Sequence, residues 1–370
     1  MLNKQRLKHI LTGLGILLFC LAVVVYPKEV SLSVYQGLEV CTTILIPSLF
    51  PFIFLSLFIV KSGFAELMGR VFEPVFRRIF KLPGSACAAV FTALVGGYPS
   101  GAQAVAELYK EQQLSRSQAE RMLQFCVCAG PAFLISTLGI TYFKSERLGV
   151  LVLCAQIASA LILGLISGFL AKDEPQLKPR ARRAKRLSVA ESFVTAARGT
   201  SSALLSICTF VVLFSVILCV LETSGIERLA AHLIMSLGAP EAAAHALMPN
   251  LLEVTNSLAE AVPAGLPFAA FITSFGGFCV HFQVYYFTAS IGISKLRFTL
   301  FRLFHGLLSM ALTALLLPFI MADTAAFVPL DSTVPLSMPN PAGSAALILL
   351  CAVTVLLVPD FEQREKGVEG

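Results

Sequence analysis

Gly96-Gly97-Tyr98-Pro99-Ser100-Gly101-Ala102-Gln103 opens with three glycines and a proline in six residues. Such a run cannot continue a helix, because glycine is conformationally loose and proline lacks the N–H and clashes with the preceding turn. The unwound stretch exposes backbone N–H groups, and a helix restarts near Ala102. A helix N-terminus with free N–H groups attracts anions. Ser100 and Gln103 add neutral hydrogen bonds, so Gly97, Tyr98, Ser100, Gly101 and Gln103 form a first set of candidate substrate contacts. The competing reading, a surface turn, is disfavoured by the apolar flank Val90–Val95.

Glu253-Val254-Thr255-Asn256-Ser257 is a second polar break, entered from Leu251-Leu252. A carboxylate in such a setting is costly at membrane depth and usually functional, although at an outer water interface it costs little. Glu253 and Thr255 are candidates for coupling a proton or a sodium ion, and Asn256 and Ser257 offer further polar groups to the same cation or to substrate. Phe275-Gly276-Gly277-Phe278-Cys279-Val280-His281-Phe282-Gln283 is a third break. Gly276 and Gly277 free backbone groups. His281 is the best pH-sensitive group in this half, or else a histidine bonded to a backbone carbonyl. Gln283 can donate and accept, which suits a carboxylate or a heterocycle edge. The fourth break, Cys126-Val127-Cys128-Ala129-Gly130-Pro131, has weak side-chain chemistry and offers the backbone at Gly130.

No Lys or Arg falls near the bilayer midplane in this reading, so an anion would rely on helix ends and amides. Cys126-x-Cys128 is too close a pair for a metal site without further ligands, and His9, His232, His245 and His305 show no ligand spacing. No metal or cofactor is implied. No nucleophile–base pair appears at membrane depth either, so an enzyme is not expected.

The elements that must position these groups follow from composition. The chain has 370 residues, 56% hydrophobic and only 14% charged, with mean hydropathy +0.81. Soluble domains sit near 45–50% apolar and about 25% charged. This excess excludes a soluble enzyme, a nucleic-acid binder and a disordered chain, and leaves an all-α polytopic membrane protein. All 10 cysteines lie in or beside apolar stretches and read as free thiols.

A crossing helix needs about 20 apolar residues. Leu7–Tyr26, Val40–Val60, Leu148–Leu170, Ala203–Leu221, Phe298–Ile320 and Pro341–Val358 qualify, the last being short. Leu7–Tyr26 lacks a small-residue cleavage site and is kept as a span. Met122–Phe143 and Gly265–Ser290 read as interrupted crossings, and 84–112 and 240–263 as re-entrant hairpins. With the N-terminus in the cytoplasm, these eight crossings leave only Lys28, Lys144, Arg147 and Arg228 of the 28 Lys and Arg outside.

A basic linker at 172–187 separates two halves that read alike. Ser62-Gly63 and Ser224-Gly225 each open an amphipathic helix. Phe64, Leu67, Met68, Val71, Phe72, Val75, Phe76, Ile79 and Phe80 repeat at helical spacing in the first, and Ile226, Leu229, Ala230, Leu233, Ile234 and Leu237 in the second. Arg70, Arg77, Arg78 and Lys81 lie off the stripe, as suits a helix in the headgroup region. Each helix is followed by a hairpin, a broken crossing and an intact span. Three crossings per half make the second half inverted relative to the first, an organisation typical of secondary transporters. The alternative is that the glycines merely let helices pack closely. The expected organisation is an N-terminal transmembrane helix (1–33), a first repeat (34–171), a basic cytoplasmic linker (172–189) and a second repeat (190–322). An outer loop, a C-terminal helix and a cytoplasmic tail (323–370) complete it.

Pro47-Ser48-Leu49-Phe50-Pro51-Phe52, Leu82-Pro83-Gly84, Gly97-Tyr98-Pro99-Ser100-Gly101-Ala102, Ala129-Gly130-Pro131, and Phe275-Gly276-Gly277 with Val280-His281-Phe282-Gln283 carry a family likeness over roughly residues 34–320. At these motifs the chain resembles the YlbJ-type sporulation integral membrane proteins, within the wider nucleoside-recognition, or Gate-domain, membrane proteins. The resemblance implies two Gate-like repeats, similar to the core of concentrative nucleoside transporters. It also implies a role in endospore formation, with dipicolinate as cargo across the outer forespore membrane. It further implies asparagine-rich polar residues before the Gly–Pro of the first broken crossing, where this chain has Cys126, Val127 and Cys128. Either the cargo differs, or the first hairpin takes a larger share of the binding.

The expectation is therefore a transporter of a small organic anion by alternating access in a bacterial cell membrane, with a nucleoside or metal-cation permease and a spore-maturation scaffold as alternatives. Its partners would be an anionic small molecule, a coupling proton or sodium ion and the lipid bilayer, with no nucleic acid. A homo-oligomer is left open.

Overall fold

The computed structural model describes residues 4–171, 188–255 and 257–325, and every regular element among them is helical. The chain divides into two units, Met1–Ile320 and Met321–Gly370, and only residues 321–325 of the second are described. The linker at 172–187 and the short span Pro341–Val358 lie outside the described residues.

Helix α1 (Lys4–Val25) ends at Tyr26, where Pro27 starts α2 (Pro27–Val40) with the ring's fixed φ suited to a first turn. A π-helical turn, Cys41–Leu45, joins α2 to α3 (Ile46–Lys61), so the predicted span Val40–Val60 is the second half of a longer apolar rod, Pro27–Lys61. Gly63 then stands at φ +78° and admits α4 (Phe64–Val75), which runs into a second π-helical turn, Phe76–Phe80.

The first hairpin pairs α5 (Ala86–Gly96) with α6 (Tyr98–Lys110) about Gly97. Its arms meet through small residues: a Cβ on Gly101 would lie 2.6 Å from the Ala93 Cβ. α7 (Arg116–Leu123) opens with a capping box between Ser115 and Gln118. The chain leaves helical geometry at Cys126–Gly130 and resumes as a π-helical segment, Phe133–Tyr142, before the intact span α8 (Glu146–Phe169). The predicted break at Ala129-Gly130 is thus present.

The second half opens with α9 (Val189–Thr223), capped by Ser188 and Glu191 and far longer than the predicted Ala203–Leu221. Its polar first turns belong to the helix because they pack on α3. A Cβ on Gly199 would lie 2.7 Å from the Leu57 Cδ1, and the Ser192 hydroxyl donates to the Lys61 carbonyl at 3.2 Å. α10 (Ile226–Ser236) follows Gly225. α11 (Glu241–Leu252) then breaks at Glu253, and a single turn, α12 (Leu258–Ala261), forms the return. α13 (Leu266–Phe275) and α14 (Gly277–Phe287) are two pieces of one crossing, parted at Gly276, and α15 (Lys295–Ala325) is the next span.

The two Ser–Gly corners have the same backbone geometry. Ser62 and Ser224 sit at φ/ψ of −77°/−7° and −76°/−9°, and Gly63 and Gly225 at 78°/3° and 77°/4°. A left-handed glycine stops the preceding helix, and the amphipathic helix restarts at once.

Five helical stretches among the described residues are long and apolar enough to cross a bilayer: Pro27–Lys61, Glu146–Phe169, Val189–Thr223, Leu266–Phe287 and Lys295–Met321. Their outward faces carry large exposed side chains such as Leu205, Leu315 and Phe319. Such a surface is stable only against lipid, and the chain is an integral membrane protein.

Candidate functional site

Three of the four breaks, and the helix that follows the fourth, line one cavity with about 620 Å³ of space free of protein atoms, mouth included. The first hairpin contributes Gly97, Tyr98 and Pro99, and the first broken crossing Gly130. The second hairpin contributes Glu253 and Thr255, and α14 contributes Cys279, Val280 and Gln283. Leu45, Ser48, Leu49 and Phe52 of the first rod and Ile207 and Val211 of α9 line it as well. The result is a mostly apolar pocket with a few convergent polar groups.

Two glycines make the meeting of hairpin and crossing possible. Gly97 has φ +86° and ψ −174°, a conformation essentially reserved for glycine. A Cβ on Gly97 would lie 3.2 Å from the Gly130 nitrogen, and one on Gly130 3.4 Å from the Gly97 nitrogen. The two backbones therefore touch at the cavity wall, where α6 begins.

Tyr98 presents its ring to the cavity and donates its hydroxyl to the Thr273 carbonyl of α13. The Glu253 carboxylate, 1% exposed, accepts the Thr255 N–H at 2.9 Å in a tight local turn. The Gln283 amide donates to the Cys279 sulfur at 3.4 Å, so both belong to one polar strip of α14.

The other predicted contacts lie behind the wall. Ser100 donates to the Gly96 carbonyl at 2.9 Å. Gly101 is a packing glycine, since a Cβ there would fall 2.0 Å from the Cys126 carbonyl oxygen. The buried Gln103 Oε1 has no partner among the described residues. Ser257 donates to the Glu253 carbonyl, and Asn256 lies outside the described residues. Gly276 lets the Tyr98 ring approach, since a Cβ there would lie 3.2 Å from the ring's Cε1. A Cβ on Gly277 would likewise lie 3.1 Å from the Asn250 carbonyl oxygen. His281 Nδ1 donates to the Gly277 carbonyl at 2.6 Å, and its ring is 4.7 Å from that of Phe275. Of the two readings of this histidine, the geometry shows the carbonyl-bonded one.

One buried cation stands beside the breaks, which the motifs did not single out. Arg302 lies seven residues into α15, about 10 Å along the axis, and is fully buried. It donates through Nε to the Phe275 carbonyl at 3.2 Å, and through its other nitrogens to the carbonyls of Ser274 and Val127 and to His305 Nδ1 at 3.0 Å. His305 Nε2 donates to the Gln156 carbonyl at 3.1 Å. The Gln156 amide in turn donates to the Ala129 carbonyl at 3.0 Å. The segment expected to be asparagine-rich thus does its polar work through the Val127 and Ala129 carbonyls. Arg302, His305 and Gln156 are the polar residues that motif reading missed. Their signal was a polar side chain inside an otherwise apolar span.

The nine described cysteines are free thiols, and among the described residues no group of three or more His, Cys, Asp or Glu is placed to hold a metal ion.

Residues 42–146 match the Gate family, described as nucleoside recognition. This Gate segment runs from the π-helical turn before α3 to the first turn of α8, and so includes the first hairpin and the first broken crossing. The chain is also 25% identical over 343 residues to the sporulation integral membrane protein YlbJ of Bacillus subtilis (strain 168). That alignment covers 85% of this chain and 84% of the relative, both halves included. The resemblance to the YlbJ-type and Gate-domain membrane proteins is thereby borne out. No solved structure is a significant match.

Proposed function

We propose that the protein is a secondary-type transporter of a small organic anion, working by alternating access between two inverted repeats. The observation that carries this reading is the convergence on one cavity of three irregular segments, from the first hairpin, the first broken crossing and the second hairpin, with the second half of the other broken crossing beside them. Non-helical backbone inside a membrane protein is tolerated where it lines such a chamber. The matched Ser–Gly corners support a duplicated unit. So does the contact between Gln156 and His305, which occupy comparable places in the spans that follow the two broken crossings.

Dipicolinate is the cargo this reading favours, by the family resemblance that the sequence motifs carry. Its two carboxylates and ring nitrogen suit the start of α6, the Gln283 amide and Thr255. Glu253 would carry a proton or pair with a cation when the anion binds, since a bare carboxylate would repel it. The setting is a bacterial cell membrane, the outer forespore membrane during sporulation. A nucleoside cargo is the second reading, favoured by the description of the Gate family.

Purified protein in proteoliposomes, offered dipicolinate with and without proton and sodium gradients, tests the proposal. Gradient-dependent accumulation supports it. Uptake of nucleosides alone moves the assignment to the second reading, and no protein-dependent flux of either would sink the transporter reading in favour of a scaffold.

A further inference from the structure

Arg302 is bound like a metal ion rather than like half of a salt bridge. A buried arginine ordinarily meets a carboxylate. The ligands of Arg302 are neutral: the carbonyls of Val127, Ser274 and Phe275, with the His305 ring nitrogen completing the set. Among the described residues no ion pair involves it. Its guanidinium carbon also stands 5.9 Å from the centre of the Tyr98 ring, a cation–π arrangement.

The carbonyls come from special places. Ser274 and Phe275 end α13, where unpaired carbonyls and the negative end of the helix dipole coincide. Val127 lies in the unwound part of the first broken crossing. Half-helix C-termini and unwound carbonyls are the groups that hold monovalent cations in broken-helix transporters. Here both breaks turn such groups toward one point, and a side chain of the protein fills it.

We infer that Arg302 is a tethered cation occupying a monovalent-cation site built from the carbonyls of both broken crossings, so that removing its side chain leaves a vacant site for a free cation. The inference rests on the proposed transport function only for its purpose, to hold the two breaks together without a dissociable ion. The site itself stands on the contacts.

The test needs no cargo. Arg302→Ala is purified in detergent, and its melting is followed against millimolar guanidinium chloride. Urea, which is planar and of similar shape but neutral, and choline chloride at equal ionic strength serve as controls. A variant that melts several degrees below the parent and is raised by guanidinium in a saturable way, while the parent is not, supports the inference. Recovery no greater than with urea or choline overturns it. Arg302→Lys and Arg302→Met supply a second arm that does not depend on recovering the alanine variant. Lysine keeps the charge and methionine keeps only the bulk. The lysine variant melting above the methionine variant supports a cation site, and equal melting, or loss of both from the membrane fraction, overturns it. Failure here leaves the cavity and its cargo untouched, and absence of flux in proteoliposomes leaves the Arg302 site untouched.

Discussion

Tyr98 and Arg302 divide between them the last three carbonyls of α13: Tyr98 takes Thr273, and Arg302 takes Ser274 and Phe275. One belongs to the first hairpin and the other to the last described span. The end of a broken helix in the second half is therefore satisfied in part by a residue from the first. Buried helix ends need such partners, because water is absent.

Tyr98→Phe should keep the ring that lines the cavity and leave the Thr273 carbonyl without its donor. An unpaired buried acceptor costs about 1–3 kcal/mol. Melting of the detergent-solubilised protein should fall by a few degrees, with cargo affinity changed less than stability. A melting curve superimposable on the parent's would show that the hydroxyl is not a cap.

Gly97→Ala should both strain the backbone and press on Gly130. A non-glycine residue in this region of φ/ψ costs roughly 1–3 kcal/mol, and the nearest neighbour is backbone, which cannot swing aside. Gly13→Ala in α1, where a Cβ meets nothing within 4 Å, is the matched control and should be neutral or slightly stabilising. Flux and melting are measured for both, and equal behaviour of the two variants counts against a close hairpin–crossing contact.

Glu253→Gln should fold normally, since an amide oxygen still accepts the Thr255 N–H. The change removes the group proposed to exchange a proton with the cavity. Uptake measured between pH 5 and 8 is expected to lose its pH dependence in the variant. Retention of the parent's full pH profile would remove Glu253 from the coupling step.

Cys279 is a native probe of the cavity wall. In protein whose other cysteines are replaced, a small cationic thiol reagent should label Cys279 slowly, and saturating dipicolinate should slow it further by at least severalfold. Labelling indifferent to dipicolinate would place the cargo elsewhere.

The breaks were legible because glycine and proline announce themselves, but the first is narrower than expected: only Gly97 leaves helical geometry, and α6 restarts at Tyr98 rather than near Ala102, because Pro99 fits a helix's first turn. The Ser–Gly corners were legible for the same reason. The clamp on the broken ends was not, because hydropathy and the positive-inside rule treat an arginine near a span's start as a loop charge, and Arg302 turns inward instead. Ser100, Gly101 and His281 sit in the right motifs yet face the packing side. A helix has two faces, and a motif does not say which one meets the cavity. The extra turns of α9 escaped notice because its polar residues are covered by α3 rather than by lipid. The return arm of the second hairpin is one turn, where the first hairpin has a full helix, so likeness of pattern did not fix the length of each arm.

The π-helical turn at Cys41–Leu45 has a consequence for the long rod that contains it. A wide turn holds one residue more than the α-helical ladder would, and each residue advances an α-helix by about 100°. The rod is thus wound out of phase at this point, and the slip aims Ser48 and Leu49 at the chamber. Removing one residue from the turn would rotate everything downstream by roughly a quarter revolution and swing that wall toward the hydrocarbon.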